Sequence, residues 1–403
     1  MPIIKTFVSH HGGDYDLRVA PILRQVAPMG VRPWIDKRDL ADRVGFSLDE
    51  QLQEPIFKES CSSLSLFLSK ASVARPYLEA EFLWALQRCR DRGFRITPIW
   101  LDPPDQIVLP DSFREFLSTR KALWLEPQKD PRFVEKYVAS ILDAGGLTPE
   151  SKELTLFLGH RISQWFGSPY EEWGDKPTLD LRLNLDGTQN CCPTGAEWQE
   201  IEAGLQMVRS KLTKLRRINI CGQAPLGVGT LIGTVWDRCS GTTEPIELHS
   251  HNSMAKQVWT TNPMDYEQCG QWKPATAQHL KMDAPMAVRH DTLLLVLTLA
   301  GREEYLSGMR AWNQARPAPS LFHTATIPAP QNPEHAQELV QECVGAIRFL
   351  RRTCPSIDTI EIIFVLPLAL VPLITYHLRT VKRLHIYDEV KGSNEYRLVI
   401  ALP

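Results

Sequence analysis

Short apolar runs alternate with amphipathic segments along the first third of the chain. The runs have the length of strands, and the segments between them carry apolar residues at helical spacing. Predicted strands cover 3–9, 32–36, 64–69, 96–101 and 122–125, with predicted helices at 16–26, 48–60, 76–90 and 131–144. This alternation predicts an α/β fold with a parallel sheet and helices on both faces.

A short linker follows the last of these helices. The sequence AGGLTP at 144–149 combines paired glycines with a proline, which end a helix and start a connection. A chain of 403 residues is also too long for one ordinary core. The sequence therefore predicts two domains, at 1–146 and 150–403.

The second predicted domain has its own strands and helices. Predicted strands cover 179–185, 217–221, 292–298, 359–366, 383–387 and 396–401, with helices at 197–214, 227–238 and 334–352. A strand, a turn with proline and a helix of small residues occur at 219–233 and again at 362–373. This recurrence indicates an internal repeat, and a second α/β unit large enough for two halves.

Composition narrows the functional classes. The chain is 43% hydrophobic and 23% charged with a net charge of −2, which is typical of a globular protein and argues against binding of DNA or long RNA. The longest apolar run, Ile362–Tyr376, contains two prolines and is too short for a membrane span. The start lacks the pattern of an export leader, and the nine cysteines show no metal-site spacing. We therefore expect a cytoplasmic protein without a bound metal or membrane contact.

Three pieces of the first domain occur in a familiar order. The first strand ends in FVSH at 7–10, the loop after the second strand contains GFSL at 45–48, and the third strand ends at Ser69. This part, over a third of the chain, resembles a TIR domain. The resemblance implies a flavodoxin-like parallel sheet.

The same resemblance extends to a catalytic motif. Ser72 is followed five residues later by Tyr77, where the family usually has tryptophan, and four residues on by Glu81. In NAD-cleaving TIR domains the catalytic glutamate occupies that offset, so the resemblance implies that Glu81 is catalytic. Glu79 is the alternative acid, and an acid near a helix start is also favoured by the helix dipole alone.

Cleavage of the nicotinamide–ribose bond creates an oxocarbenium-like centre, which a carboxylate can stabilise or trap. Ligands of open parallel sheets bind outside the carboxyl ends of the strands. We therefore expect Ser9, His10, Asp36 and Ser69 to line the substrate site, with the ring of Tyr77 beside nicotinamide. NAD is then the substrate, and no cofactor is expected.

Three glycines after the 217–221 strand suggest a dinucleotide-binding turn. Gly227, Gly229 and Gly233 are spaced G-x-G-x-x-x-G, whereas the nucleotide fingerprint is G-x-G-x-x-G. The spacing argues against a nicotinamide cofactor and against a hydride-transferring enzyme. We expect the glycines to serve close packing of a helix on the sheet.

The repeat, the strand LLLVLTLAG at 293–301 and the closing LHIYDEV and EYRLVIAL together resemble a SAVED domain. SAVED domains are fused pairs of CARF-like, Rossmann-related halves that sense cyclic oligonucleotides in bacterial CBASS anti-phage systems. The resemblance implies a cyclic oligonucleotide ligand, and we expect an adenine-containing cyclic trinucleotide.

Backbone amides and small polar groups at strand ends can hold the phosphates of such a ligand. The candidate residues all lie in strand-ending turns, and ordinary turns explain them equally well: they are Gln223, Pro225, Thr298, Gly301, Pro367 and Leu368. Arg302, Trp272 or Tyr387 can stack on bases. The pair His249 and His251 is interpreted as a surface loop.

These expectations combine into one hypothesis. The ligand binds the C-terminal domain, drives self-association through contacts of both domains, with the loop 36–46 among them, and switches on NAD cleavage. The alternative is a TIR domain that recruits partners without chemistry.

Overall fold

The structure is a computed structural model. It describes residues 4–35, 48–57, 61–90, 94–119, 123–124, 132–159, 178–181, 193–237, 246–252, 257–261, 269, 271–282, 291–378, 380–390 and 395–403. The chain divides into two compact units. The first contains Met1–Phe157, Ser163–Leu185 and Ser210–Lys214, and the second contains Leu158–Ile162, Asp186–Arg209 and Leu215–Pro403.

Five parallel strands form the first sheet. They are β1 (Lys5–Ser9), β2 (Arg32–Trp34), β3 (Ser63–Leu68), β4 (Arg95–Trp100) and β5 (Leu123–Trp124). Their spatial order is β2-β1-β3-β4-β5. This is the flavodoxin-like order, which reverses between β1 and β3. The predicted parallel α/β arrangement is confirmed.

The helices of this part are α1 (Gly12–Asp14), α2 (Ala20–Val26), α3 (Leu48–Phe57), α4 (Pro76–Arg88), α5 (Asp111–Ser118) and α6 (Phe133–Ala144), with a π-helix at Tyr15–Val19. Every residue of β3 is buried, as expected of a strand covered on both faces. Its Ser65 hydroxyl lies 2.7 Å from both the Thr6 hydroxyl and the Tyr137 hydroxyl. The hydroxyls of Thr6, Ser65 and Tyr137 are thus satisfied inside the core.

Two further sheets follow along the chain. One has the order β10-β9-β8-β6-β7 and the other the order β11-β13-β12-β14-β15-β16. The strands of the former are β6 (Glu153–Gly159), β7 (Thr178–Asp180), β8 (Arg217–Gln223), β9 (Glu247–Asn252) and β10 (Gln257–Thr260). Those of the latter are β11 (Lys281–Met282), β12 (Thr292–Leu299), β13 (Leu321–Ile327), β14 (Thr359–Val365), β15 (Leu384–Val390) and β16 (Glu395–Leu402).

In the six-stranded sheet, the four central strands are parallel and the strands at both edges are antiparallel. The helices that lie between the strands of the two sheets along the chain are α7 (Gly195–Lys211), α8 (Leu226–Val235), α9 (Tyr305–Ala315), α10 (Pro333–Thr353) and α11 (Val371–Thr375). No helix in the described part of the chain is long and apolar enough to cross a membrane.

The expected recurrence of strand, proline turn and helix is present in the second unit. β8 leads through Pro225 into α8, and β14 leads through Pro367 towards α11. The two helices pack on each other: a Cβ at Gly233 would lie 2.0 Å from the Thr375 Oγ1 and 2.4 Å from the Pro372 carbonyl oxygen. For Gly233 the expected reason, packing of a helix on the sheet, is therefore wrong, because its neighbour is another helix, whereas a Cβ on Gly227 would lie 2.9 Å from Val399 of β16.

Several elements depart from the sequence prediction. The interpretation of His249 and His251 as a surface loop is wrong, since both lie on β9. Helices α5 and α9 and strands β6, β10 and β13 were also not expected. The predicted linker 144–149 begins at the last residue of α6, and within it the Leu147 N–H donates to the Leu142 carbonyl of that helix. The domain boundary placed there stays a prediction.

Candidate functional site

The carboxyl ends of β1 and β3 meet where the strand order of the first sheet reverses. β1 ends at Ser9, and Ser69 directly follows β3. Both side chains are buried. Ligands of open parallel sheets bind at such a reversal, outside the carboxyl ends of the strands. Two predicted site residues therefore lie on neighbouring strands at the edge where a ligand is expected.

Glu81 lies on the buried stripe of α4. It is 9% exposed and shares the stripe with Leu78, Phe82 and Ala85, at spacings of three and four residues that place them on one helix face. The alternative interpretation, a solvated acid at a helix start, does not fit this burial. An ionisable side chain in a core position requires polar partners, because the loss of hydration is costly.

Ser9 is such a partner. Its hydroxyl donates to the Glu81 Oε2 at 2.5 Å, the length of a charge-assisted bond between hydroxyl and carboxylate. A bond to a charged group contributes about 1.5–3 kcal/mol. It holds the carboxylate carried by α4 at the end of β1.

A second acid, Asp14, lies beside the end of β3. The Ser69 hydroxyl donates to the Asp14 Oδ2 at 2.5 Å, and the Ser72 N–H donates to the Ser69 Oγ at 2.9 Å. Asp14 immediately precedes the π-helix Tyr15–Val19, a geometry that often occurs at functional sites. No motif marked Asp14 in the sequence, because its place depends on this local geometry.

Arg18 connects Asp14 to the end of β4. Its guanidinium lies 3.3 Å from the Asp14 Oδ1 and 2.8 Å from the Asp102 Oδ1, and it also donates to the Leu101 carbonyl. Burial raises the pKa of Asp102, but the Lys70 N–H and the Arg18 guanidinium lower it by more, so the net pKa lies below its ordinary value. A chain of polar contacts thus runs from the end of β3 to the end of β4.

The other predicted substrate-binding residues have different surroundings. His10 is buried, with its ring centroid 5.0 Å from that of Tyr15. Tyr77 is 36% exposed in the first turn of α4 and is accessible to a ligand. Asp36 lies outside the described residues.

Glu79 is bound to a different element. It accepts a hydrogen bond of 2.7 Å from the Ser112 hydroxyl on α5. Of the two candidate acids, Glu81 is the one bonded to the end of a central strand.

In the second unit, three of the predicted ligand-binding residues belong to the turn after β12. Thr298 is buried near the end of the strand. Gly301 has a φ of 82°, which a glycine adopts without strain, and its N–H donates to Glu303. Arg302 is exposed, with its guanidinium 3.5 Å from the Tyr305 hydroxyl. The guanidinium also lies 4.0 Å from the Glu304 carboxylate, an exposed and therefore weak ion pair that leaves the cation accessible to an anionic ligand.

The turns after β8 and β14 adjoin through the contact between α8 and α11. Gln223 ends β8, and its side chain lies outside the described atoms. Pro367 opens the turn after β14, where the Leu370 N–H donates to its carbonyl. The Leu368 Cδ1 lies 3.0 Å from the position of a Cβ on Gly229 of α8.

The N-terminus of α8 already binds an acid of the same chain. Pro225 is its N-cap, and the Gly227 N–H donates to the Asp388 Oδ2 at 2.7 Å. Burial raises the pKa of Asp388 to about 6, although the N–H groups of Gly227 and Glu389 lower it. Because helix N-termini favour anions, this carboxylate occupies the position that a ligand phosphate was expected to take.

The three candidates for base stacking are also placed. Trp272 is buried against α10, edge-on to Phe349 at 5.7 Å. Tyr387 donates to Glu361 at 3.1 Å and its ring contacts Trp312. Of the three candidates, Arg302 is the exposed one.

Glu361 on β14 was not identified from the sequence. It is 2% exposed and accepts two hydrogen bonds from Arg316, at 2.5 and 2.6 Å, and one from Ser320 at 2.6 Å. Burial raises its pKa, but these donors and the Tyr387 hydroxyl lower it by more, so the net pKa of Glu361 lies below its ordinary value. This acid is neutralised by a guanidinium inside its own unit, which is the arrangement of a structural ion pair.

Within the described residues, no three His, Cys, Asp or Glu side chains come together as a metal site.

Comparison with known proteins returns structural similarity without sequence relatives. No protein-family model matches the chain, and no curated protein matches it. Solved structures that resemble it include the Acinetobacter baumannii Cap4 SAVED/CARF-domain containing receptor with the cyclic trinucleotide 2'3'3'-cAAA. The two sequences are 12% identical, the match covers 89% of this chain and 86% of the receptor, and the TM-score is 0.44.

The same receptor with 3'3'3'-cAAA is 11% identical over 88% of this chain and 84% of its own, with a TM-score of 0.44. The Moraxella osloensis Cap4 SAVED/CARF-domain containing receptor is 13% identical over 88% of this chain and 84% of the receptor, with a TM-score of 0.41. At TM-scores below 0.5 the similarity does not place this chain in a family.

Proposed function

We propose that the first unit is a TIR-like domain that cleaves NAD at the nicotinamide–ribose bond. The observation that carries the proposal is the 2.5 Å bond between Ser9 and Glu81 at the reversal of the β2-β1-β3-β4-β5 order. It places a buried carboxylate at the edge where such sheets bind nucleotides. The sequence motif around Ser72, Tyr77 and Glu81 supports the same assignment.

The chemistry follows from the charge that develops in the reaction. As the bond from the ribose C1' to nicotinamide breaks, its electron pair leaves with neutral nicotinamide and the ribose becomes an oxocarbenium ion. The Glu81 carboxylate stabilises that cation or traps it, and water then adds at C1' to give ADP-ribose and a proton. Ser9 orients the carboxylate, and the accessible ring of Tyr77 is available beside nicotinamide.

The second unit is proposed to sense a cyclic oligonucleotide and to bring copies of the chain together. The recurrence of strand, proline turn and helix at β8–α8 and β14–α11, with the two turns adjoining, supports a ligand site built from two related halves. Arg302 offers an exposed cation for a phosphate or a base. Ligand binding then favours the assembled state by mass action.

The test is an NAD assay of the purified full chain with and without a panel of cyclic di- and trinucleotides. We expect NAD loss with one member of the panel and little without it, together with an increase in particle size in light scattering. Equal NAD loss in the absence of any ligand would refute the coupling. The second candidate function, a recruitment scaffold, predicts ligand-dependent assembly with no NAD loss at all.

A further inference from the structure

Two arginines at the carboxyl edge of the first sheet have opposite surroundings. The Arg18 guanidinium contacts the carboxylates of Asp14 and Asp102. Arg75 is half-buried, and its Nη1 donates to the His10 carbonyl at 2.6 Å. Within the described part of the chain this carbonyl is the one acceptor of the Arg75 guanidinium, and no carboxylate pairs with it.

Arg75 stands next to the candidate catalytic groups. It is the N-cap of α4, the helix that carries Glu81, and its side chain contributes no capping bond. The carbonyl it binds belongs to the residue after Ser9, whose hydroxyl holds Glu81. The guanidinium and the catalytic carboxylate are therefore both tied to the Ser9–His10 corner.

The remaining donors of this guanidinium suit one class of ligand. Arginine has five N–H donors in a planar fork, of which one carbonyl engages one. The fork matches the geometry of phosphate oxygens and binds them in bidentate fashion. A cation that lacks a carboxylate partner and lies beside a nucleotide site is well suited to the charge of a diphosphate.

We propose that Arg75 binds the pyrophosphate of the dinucleotide substrate and thereby selects NAD over nicotinamide nucleosides that lack phosphate. This inference rests on the proposed function and names the recognition of the substrate's charged half. Its bond to the His10 carbonyl fixes the guanidinium in place before the ligand arrives, which lowers the entropy cost of binding.

A structural brace is the competing role, and the two roles differ in what they do to different substrates. If Arg75 is only a brace that holds the Ser9–His10 corner, its loss lowers kcat/KM for NAD and for nicotinamide riboside by the same factor. If Arg75 binds the pyrophosphate, its loss lowers kcat/KM for NAD but not for nicotinamide riboside, which carries the same scissile bond without phosphate.

The experiment compares Arg75→Met and Arg75→Lys in the full chain under activating conditions, with both substrates. We expect Arg75→Met to raise the KM for NAD about 10–100-fold, as expected for loss of bonds to a charged group, and to change kcat/KM for nicotinamide riboside less than about threefold. Arg75→Lys should lie between, because it keeps the charge and loses the fork. Equal losses on the two substrates, or none on NAD, would overturn the proposal.

The matched control is Arg114→Met on α5, an arginine that also donates to a backbone carbonyl, that of Leu109, but has Asp111 as a carboxylate partner. This substitution should leave KM and kcat/KM unchanged for both substrates.

Calorimetric titration with ADP-ribose tests the inference without turnover and separates it from the proposed function. Binding that weakens at least tenfold in Arg75→Met and by a smaller factor in Arg75→Lys, but not in Arg114→Met, supports the assignment even if NAD is never cleaved. Unchanged affinity in a lysine variant that keeps its thermal midpoint, or no ADP-ribose binding by the unsubstituted chain, overturns it.

Discussion

Buried acids are held differently at the carboxyl edge of the first sheet and at the start of α8 in the second unit. At the carboxyl edge of the first sheet, serine hydroxyls hold two acids, Glu81 through Ser9 and Asp14 through Ser69. In the second unit, the acid at the start of α8, Asp388, is held by backbone N–H groups. The first arrangement presents side-chain acids at a sheet edge suited to a ligand, whereas the second fills a helix end from within.

The difference teaches where to look for chemistry. Buried acids are costly, and Glu361 shows how this chain neutralises one for structure, with a bidentate arginine. Glu81 instead lies on a core stripe at a sheet reversal and is reached by a hydroxyl from a neighbouring strand. A core position that departs from apolar patterning at such a reversal is more informative about function than a charged surface residue.

The largest expected effect follows from removal of the carboxylate charge at the first edge. Glu81→Gln keeps the size of the side chain and should lower ligand-activated NAD cleavage about a thousandfold, measured by chromatography of NAD and nicotinamide. Glu79→Gln, whose acid is bonded to Ser112 on α5, is the matched control and should retain activity within about threefold. The comparison breaks if the two variants lose equal activity.

In the second unit the expected effect is on stability. Gly233→Ala places a methyl group within 2.4 Å of the Pro372 carbonyl oxygen, so α8 and α11 must move apart. We expect a loss of about 3 kcal/mol and a lower midpoint in scanning calorimetry. Gly195→Ala at the start of α7 is the control, because a Cβ there meets nothing within 4 Å. Equal midpoints for the two variants would contradict the close helix contact.

Asp388, at the start of α8, provides a pH test in the same unit. Its pKa is about 6 in the folded chain and 3.8 for an ordinary aspartate, so between these values the folded state binds the extra proton. Its contribution to stability is therefore greatest below about pH 4 and is lost as the pH rises through 6.

Asp388→Asn should accordingly be more stable than the unsubstituted chain at pH 7.5, by on the order of 2–3 kcal/mol, with the difference shrinking towards pH 4. Thermal midpoints measured across this range check the trend. A constant difference at all pH values would show that Asp388 does not titrate there.

The smallest expected effect sharpens the role of the hydroxyl at the first edge. Ser9→Ala removes the bond that orients Glu81 and should lower kcat about tenfold while the acid remains. Ser140→Ala, which removes a half-buried hydroxyl on α6 bonded to the Tyr137 carbonyl, should leave the NAD rate unchanged. A rate in Ser9→Ala equal to that of the unsubstituted chain would assign Ser9 to packing alone.

The sequence predicted the parts of the first edge that follow from strand order and motif offset. Ser9 and Ser69 end apolar runs, and Glu81 lies at a fixed distance from Ser72, so their positions needed only a parallel sheet. Asp14 and Arg75 could not be found in this way. Their roles depend on a π-helix and on the rotation of one guanidinium, neither of which leaves a periodic signal in the sequence.

Other omissions had a detectable cause. β9 reads ELHSHN, with Leu248 and Ser250 buried between more exposed residues, so the period of two was present but hidden by its polar composition. α5 directly follows the proline-rich stretch 102–110, and because prolines are typical of turns and loops, no helix was predicted beside it. Its absence from the prediction also concealed the Ser112 partner of Glu79.

The close packing of α8 against its neighbours restricts which substitutions this sequence can accept. Gly233 has no space for any side chain, and at Gly227 a methyl group would meet the ring of Trp198 at 2.6 Å. Substitutions at both positions are therefore expected to be selected against more strongly than exchanges of similar volume among the buried apolar residues beside them. Steric packing alone thus accounts for a glycine spacing that is close to that of dinucleotide-binding turns.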